Sequence, residues 1–149
     1  MPAEIIRRML LLKALGLSHG NSGAQVATVE RLLFFFNNDI LPVVYEQGSL
    51  GASGDLSPLA HLSLPILGEG EVRHMGTAYS AEEMQSLFKI DPIVLRSKEG
   101  LALLNGTQFM SAYASFSVSN ALKLWRQFNS VAALSLEAYD GRLNPFQSN

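Results

Sequence analysis

A helical pattern running from about residue 107 to residue 139 constrains the fold more than any other feature of this sequence. Its apolar residues recur at the three- and four-residue spacing of an α-helix, and few charges interrupt them. They include Phe109, Tyr113, Phe116, Leu122 and Trp125. Because a helix this long with so little polar surface must bury it against other helices, we predict a long core helix in a bundle larger than these 149 residues supply.

The rest of the chain predicts shorter helices joined by turns. Ser22 with Gln25, and Ser80 with Glu83, have the form of capping boxes at helix starts. The predicted elements are helices over about 2–16, 22–37, 57–67 with a kink near Pro65, and 81–88, and a strand over 72–75. We therefore predict a mainly α fold, a helical bundle fragment with a short β-hairpin or strand, in one partial domain over 1–149 with no second domain.

The composition argues against several classes of function. Eleven basic and 13 acidic side chains give a net charge of −2, so nothing favours nucleic acid or an anionic membrane as a partner. With no cysteine and no metal-ligand spacing among His19, His61 and His74, we expect no metal site. No apolar stretch approaches the roughly 20 residues of a membrane span and no secretory leader is visible, so we expect a cytoplasmic protein.

A glycine-rich loop over 48–56 carries the most specific chemical signal. It contains Gly48, Gly51 and Gly54 at intervals of three, followed by Asp55. A phosphate-binding loop is disfavoured because no lysine or arginine lies between residues 46 and 72. A serine nucleophile elbow is disfavoured because Asp55 replaces the second glycine of Gly-x-Ser-x-Gly.

The loop and the helix start after it resemble a known signature. The run Gly51-Ala52-Ser53-Gly54-Asp55-Leu56-Ser57-Pro58-Leu59-Ala60-His61 is similar to the motif of the histidine and phenylalanine ammonia-lyases. Residues 20–23, 68–72 and 98–108 resemble further blocks of this family in the same order, and 68–72 resembles its bacterial histidine-specific branch. The resemblance implies a mostly helical homotetramer that eliminates ammonia from an α-amino acid, with histidine giving urocanate, and it implies no nucleotide cofactor.

The resemblance also implies a cofactor made from the chain itself. In the family, Ala-Ser-Gly cyclises into 4-methylidene-imidazol-5-one, which here assigns Ala52, Ser53 and Gly54 as catalytic residues. The amide nitrogen of Gly54 attacks the carbonyl carbon of Ala52 and one water leaves, while the Ser53 hydroxyl leaves as a second water. Glycine at position 54 suits this close approach, and Asp55 is placed to orient the turn or move protons.

The block over 98–108 supplies a second set of candidates. The resemblance places Asn105 in the active site, where its amide can contact the prosthetic group or substrate, and Gln108 is a weaker substrate-binding candidate. Composition alone favours a turn before a helix for Asn105-Gly106, and the resemblance of the block reverses that preference. We interpret Lys98 and Glu99 as an exposed or structural ion pair.

Departures from the family leave other functions open. Full members are several times longer, so we expect a fragment of the N-terminal half, nearly inactive alone, with the residue that removes the β-proton outside it. Ala24-Gln25 also replaces the family's frequent Val-Arg. The alternatives are a tyrosine or phenylalanine ammonia-lyase, an aminomutase of the same family, or an inactive truncated fragment that serves in helical assembly.

Overall fold

The computed structural model describes residues 1–50 and 54–147. The chain divides into two compact units, Met1–Tyr113 and Ala114–Asn149, and each is described by itself. The predicted tripeptide residues Ala52 and Ser53 lie outside the described residues, as does Gly51.

Two helices open the first unit: helix α1 spans Ala3–Ser18 and helix α2 spans Val26–Asn37. The two helices pack against each other. The buried face of α1 follows helical spacing and consists of Ile5, Ile6, Met9, Leu10, Lys13, Ala14 and Leu17. A single charged residue therefore lies within an otherwise apolar buried stripe.

The predicted capping box at the start of α2 is wrong. Helix α2 begins at Val26, four residues after Ser22, and its N-cap is Gln25, which makes no side-chain capping bond. The reason is a tertiary contact, because the backbone N–H and the side-chain amide of Gln25 both donate to the carboxylate of Glu99. That carboxylate holds the helix start in place of a local cap.

A small antiparallel sheet follows the order β1-β2-β3, with strands Leu41–Pro42, Glu71–His74 and Thr77–Ser80. The strand predicted over 72–75 is β2, and it forms the expected hairpin with β3. Met75 and Gly76 connect them with φ values of 49° and 82°, the conformation that a tight hairpin turn requires. The short strand β1 was not predicted.

Helix α3 spans Leu56–Ser63 and continues as a 3₁₀ turn over Leu64–Ile66, so the predicted kink near Pro65 is confirmed. Helix α4 spans Ala81–Phe88, and the predicted capping box of Ser80 and Glu83 is formed in both directions. Helix α5 spans Glu99–Leu104 and packs against α3. This packing brings the residue before α3 close to the residues after α5.

The long helix α6 spans Gln108–Ala138, in agreement with the predicted range, and the fold is mainly α. Its apolar side chains in the second unit are exposed in the single chain, with Trp125 at 63% and Phe128 at 69%. Exposure of Trp125 in the single chain agrees with the prediction that this helix belongs to a bundle larger than these 149 residues supply. In the part of the chain described, no helix has the length and apolar character needed to cross a membrane.

Candidate functional site

Gly54 is buried and stands two residues before α3 with a φ of +102°, a conformation that favours glycine. A Cβ atom at this position would lie 2.7 Å from Oδ1 of Asn105 and 3.1 Å from the carbonyl oxygen of Gly106. The first distance is shorter than real Cβ contacts, and the second is unusually tight. Gly54 is thus required by its backbone conformation and by the close approach of Asn105.

Asn105 follows the last residue of α5 and has an extended backbone, with φ −89° and ψ 140°. The oxygen of its side-chain amide lies against Gly54, and Asn105 as a whole is an exposed residue. The structure therefore brings together two of the residues that the sequence selected, although 51 positions separate them.

Asp55 fixes the loop to the start of α6. Its carboxylate is fully buried and accepts hydrogen bonds from the backbone N–H groups of Phe109 and Met110, at 2.9 and 3.1 Å. The hydroxyl of Ser49 donates to the other carboxylate oxygen at 3.0 Å. A carboxylate at a helix N-terminus satisfies free N–H groups and interacts favourably with the helix dipole. Asp55 thus ties the loop on both sides of residues 51–53 to the first turn of α6.

The backbone of Asp55 makes a further connection, because its N–H donates to the carbonyl oxygen of Gly106 at 2.8 Å. Gly106 itself has a φ of +142°, and a Cβ there would overlap the side-chain amide of Gln108. Gln108 packs between Gly106 and Gly16 of α1, and its Oε1 atom is buried without a hydrogen-bond partner among the described residues. The structure thus places Gln108 behind the Asn105–Gly106 segment, where it can brace that segment.

Sequence reasoning missed Lys13, which had been placed only as a member of the first helix. Its side chain is 2% exposed, and Nζ donates a hydrogen bond to the backbone oxygen of Asn105 at 2.9 Å. Burial lowers the pKa of Lys13 to about 8. The available signal was its position on the apolar stripe of α1, where a lysine is unusual.

The interpretation of Glu99 as part of an ion pair with Lys98 is wrong. Glu99 is fully buried, and its described partners are neutral donors: the backbone and side chain of Gln25, the hydroxyl of Thr28 and the backbone N–H of Arg96. Burial alone would raise the pKa of Glu99, but the hydrogen bonds from Thr28, Arg96 and Gln25 lower it below its ordinary value. Glu99 thereby joins the start of α2 to the start of α5, which leads to Asn105.

We expect the substitution Glu99→Gln to lower the free energy of unfolding at neutral pH, and to lower it less at acid pH. A carboxylate whose pKa is lowered in the folded state stabilises the fold above its unfolded pKa of about 4.3, and this contribution disappears as the pH falls through the folded value. The variant should lose about 1–3 kcal/mol at neutral pH, because one of its amide atoms meets donors and cannot accept.

Thermal unfolding followed by circular dichroism from neutral pH to well below the unfolded pKa of about 4.3 measures this difference, because the contribution is lost only below that value. Glu30→Gln, an exposed change on α2, is the matched control and should leave the profile unchanged. If Glu99→Gln shifted the melting temperature equally at every pH, the ionised carboxylate would not be the stabilising form.

A surface cavity of about 220 Å³ lies beside Asn105. It is lined by Asn21, Ser22, Lys98, Leu101, Ala102 and Asn105. Two of the sequence blocks singled out above, residues 20–23 and 98–108, therefore meet around one concave surface. Among the residues that the structure describes, no group of three or more His, Cys, Asp or Glu side chains is arranged to hold a metal ion.

Comparison with known proteins gives a consistent result across the chain. The family model for aromatic amino acid lyases matches residues 1–149. The histidine ammonia-lyase of Deinococcus radiodurans is 46% identical over 147 residues, which is 99% of this chain and 28% of that protein. The histidine ammonia-lyase of Geobacillus thermodenitrificans is 47% identical over 145 residues, which is 97% of this chain and 29% of that protein.

Solved structures show the same relationship. The chain superposes on histidine ammonia-lyase from Trypanosoma cruzi with a TM-score of 0.89 and 38% identity, over 97% of this chain and 28% of the other. It superposes on tyrosine aminomutase from Streptomyces globisporus with a TM-score of 0.90 and 36% identity, over 96% and 27%. The chain thus spans less than a third of the length of the relatives that it matches.

Proposed function

This chain belongs to the aromatic amino acid lyase family, and from that premise we propose that it carries the electrophile-forming segment of an amino-acid ammonia-lyase, with histidine as the substrate and urocanate as the product. The observation that carries the proposal is the contact between Gly54 and Asn105, which joins the Ala52-Ser53-Gly54 motif to the second conserved-type block. The two histidine ammonia-lyase relatives described above, at 46% and 47% identity, favour histidine over other amino acids.

The residues around the tripeptide fit the proposed 4-methylidene-imidazol-5-one group. Gly54 is held at a positive φ with no room for a side chain, so its backbone is available for the close approach that ring closure needs. Asp55 and Ser49 anchor the chain on either side of residues 51–53. Once formed, the group supplies an electron-poor alkene that draws electrons from the substrate.

Asn105 and Asp55 have different tasks in this proposal. Asn105 places the oxygen of its uncharged amide, an acceptor, against Gly54. The NH2 group of the same amide can donate to the carbonyl oxygen of the prosthetic group or to the substrate, and neither contact alters the net charge. The buried carboxylate of Asp55 accepts hydrogen bonds from the start of α6, and we propose that Asp55 holds the loop in place. Gln108 supports the same segment from behind, and the base that removes the β-proton is assigned to no residue of this chain.

The test of this proposal is turnover by full-length protein that contains this segment. Purified enzyme is incubated with histidine, tyrosine and phenylalanine in turn, and urocanate, coumarate and cinnamate are followed by their absorbance. We expect urocanate from histidine and little product from the other two. Production of coumarate or cinnamate in its place would contradict histidine as the substrate, and no turnover of any amino acid would contradict the lyase.

An aminomutase is the second candidate, and it is favoured by the similarity to the tyrosine aminomutase structure. A mutase retains the amino group in a β-amino acid, whereas a lyase releases it as ammonia. Measuring ammonia and β-amino acid in the same reaction therefore separates the two. A mixture dominated by β-amino acid would favour the mutase.

We also propose that the protein is a homo-oligomer, a tetramer by resemblance to the family, in which copies cover the apolar surface of α6. In the second unit this surface exposes Val118, Leu122, Trp125, Phe128 and Val131 by 51% to 69% each. Such a contiguous apolar surface is rarely left in water, and closed symmetry would bury it.

The substitution Trp125→Glu should therefore dissociate the oligomer, because a carboxylate at the centre of this surface would be buried without a partner. Sedimentation velocity on full-length protein measures the change. Met75→Glu, which alters a side chain that is 86% exposed in the β2–β3 turn, is the control and should leave the assembly intact. An unchanged sedimentation coefficient for Trp125→Glu would show that α6 is covered in another way.

A further inference from the structure

We infer that Lys13 is a positioning residue for Asn105: its ammonium group holds the backbone of Asn105 so that the side-chain amide stays against Gly54. This inference rests on the proposed function, because it assigns Lys13 a task in that same site. It is carried by the hydrogen bond from Lys13 Nζ to the Asn105 carbonyl oxygen, at 2.9 Å across 92 positions of sequence.

The carbonyl groups of Asn105 and Gly106 are consecutive in the chain, and each accepts a hydrogen bond from a different part of the first unit. Lys13 of α1 holds the oxygen of Asn105, and the N–H of Asp55 holds the oxygen of Gly106 at 2.8 Å. The side chain of Asn105 leaves the backbone at the Cα atom directly before the first of these anchored carbonyl groups, and it meets Gly54. Rotation of either peptide group would move the amide, so the Lys13 contact controls where the amide lies.

The burial of Lys13 indicates a role beyond stability. The side chain is 2% exposed, and none of the ion pairs formed by the described residues involves it. Burying an ammonium group without an acidic partner is unfavourable, and an apolar side chain of similar length would pack on the stripe of α1 at lower cost. A charged group retained at this cost provides a strong, directed donor to the carbonyl of Asn105.

The first part of the test compares Lys13→Met with the native residue in full-length protein containing this segment. Methionine keeps the length and flexibility of the side chain and removes the donor. We expect kcat to fall about 10- to 100-fold, as when a reacting group is displaced by a fraction of an ångström to one ångström. KM should change less than kcat, and the melting temperature should be equal or higher because the buried charge is gone.

Lys89→Met is the matched control, because Lys89 is an exposed lysine at the end of α4. It should leave kcat, KM and the melting temperature unchanged. A purely structural role for Lys13 would instead give a lower melting temperature and a loss of activity that follows the loss of folded protein. That result would overturn the inference.

A double-mutant cycle with Asn105→Ala gives the sharper readout. If Lys13 acts through the Asn105 side chain, Lys13→Met should cost less than about 2-fold in kcat once that side chain is absent. Equal losses in both backgrounds would overturn the positioning role while leaving the lyase proposal intact. No turnover by the native protein would defeat the lyase proposal itself, and the positioning role with it.

Discussion

Gly54→Ala in full-length protein containing this segment is expected to abolish ring formation and to lower kcat by at least about 10³-fold, the scale seen when a covalent catalyst is removed. Two physical reasons combine at this position. The backbone has a φ of +102°, which an alanine adopts only with strain, and the new methyl group would lie 2.7 Å from the Asn105 amide. Relief of this overlap requires the loop or Asn105 to move, and either movement separates the groups of the proposed site.

A matched control separates the two reasons. Gly76 in the β2–β3 turn has a φ of +82°, and a Cβ there would meet nothing within 4 Å. Gly76→Ala should therefore show only the conformational cost, about 1 kcal/mol in unfolding free energy, with full activity. Activity is measured by product absorbance and folding by circular dichroism. If Gly54→Ala behaved like Gly76→Ala, the close approach of Asn105 to Gly54 would have no role in the chemistry.

Asn105→Ala should lower kcat by about 10²–10³-fold, the loss typical of removing one preorganised donor from a catalytic site. The amide is placed by the end of α5, by Lys13 and by the Gly106–Asp55 hydrogen bond, so it reaches Gly54 without reorganisation. Because the substitution removes only the side-chain amide of Asn105 and leaves Gly54 unchanged, the tripeptide should still lose two waters. Steady-state kinetics and intact mass on the same preparation measure both effects.

Asn38→Ala is the control for this variant. The Asn38 amide donates to the backbone of Phe34 at the end of α2, so its loss removes a structural amide elsewhere in the first unit. It should leave kcat unchanged. If the Asn105→Ala variant kept full activity, Asn105 would have no role in the proposed site. The block over 98–108 would then resemble the family only because it serves the fold.

Local patterns in the sequence predicted much of the fold. The capping box of Ser80 and Glu83 needs only residues three apart, and α4 begins where that box predicts. The period and length of the apolar pattern were sufficient to identify α6 within one or two residues at each end. In each case the stabilising interactions lie within one or two turns of chain.

The contacts that organise the site were not predictable in this way. Glu99 replaces a local cap for α2 although 74 positions separate it from Gln25, and Lys13 reaches Asn105 across 92 positions. Such contacts depend on how helices pack, which sequence spacing does not encode. The family resemblance selected Gly54 and Asn105, but it gave no reason for their proximity, and the anchors that hold them were found only in the structure.

The apolar excess of the sequence also has a structural counterpart. Hydrophobic residues make up 48% of the chain, and many of the large ones on α6 face solvent in the single chain. The long apolar helix was predicted to need additional partners for its surface. The exposed surface of α6 is where those partners are proposed to bind.

The central claim is that Ala52, Ser53 and Gly54 become an electrophilic ring, and the intact mass of full-length protein containing this segment tests it most directly. The native protein should be lighter than its sequence mass by two waters, about 36 Da, with the deficit mapped by proteolysis to the peptide containing residues 52–54. The Ser53→Ala variant has no hydroxyl to eliminate, so it should not form the methylidene group. It should therefore lack the mass deficit of that water and should be inactive. An active native enzyme at its full sequence mass would contradict the account.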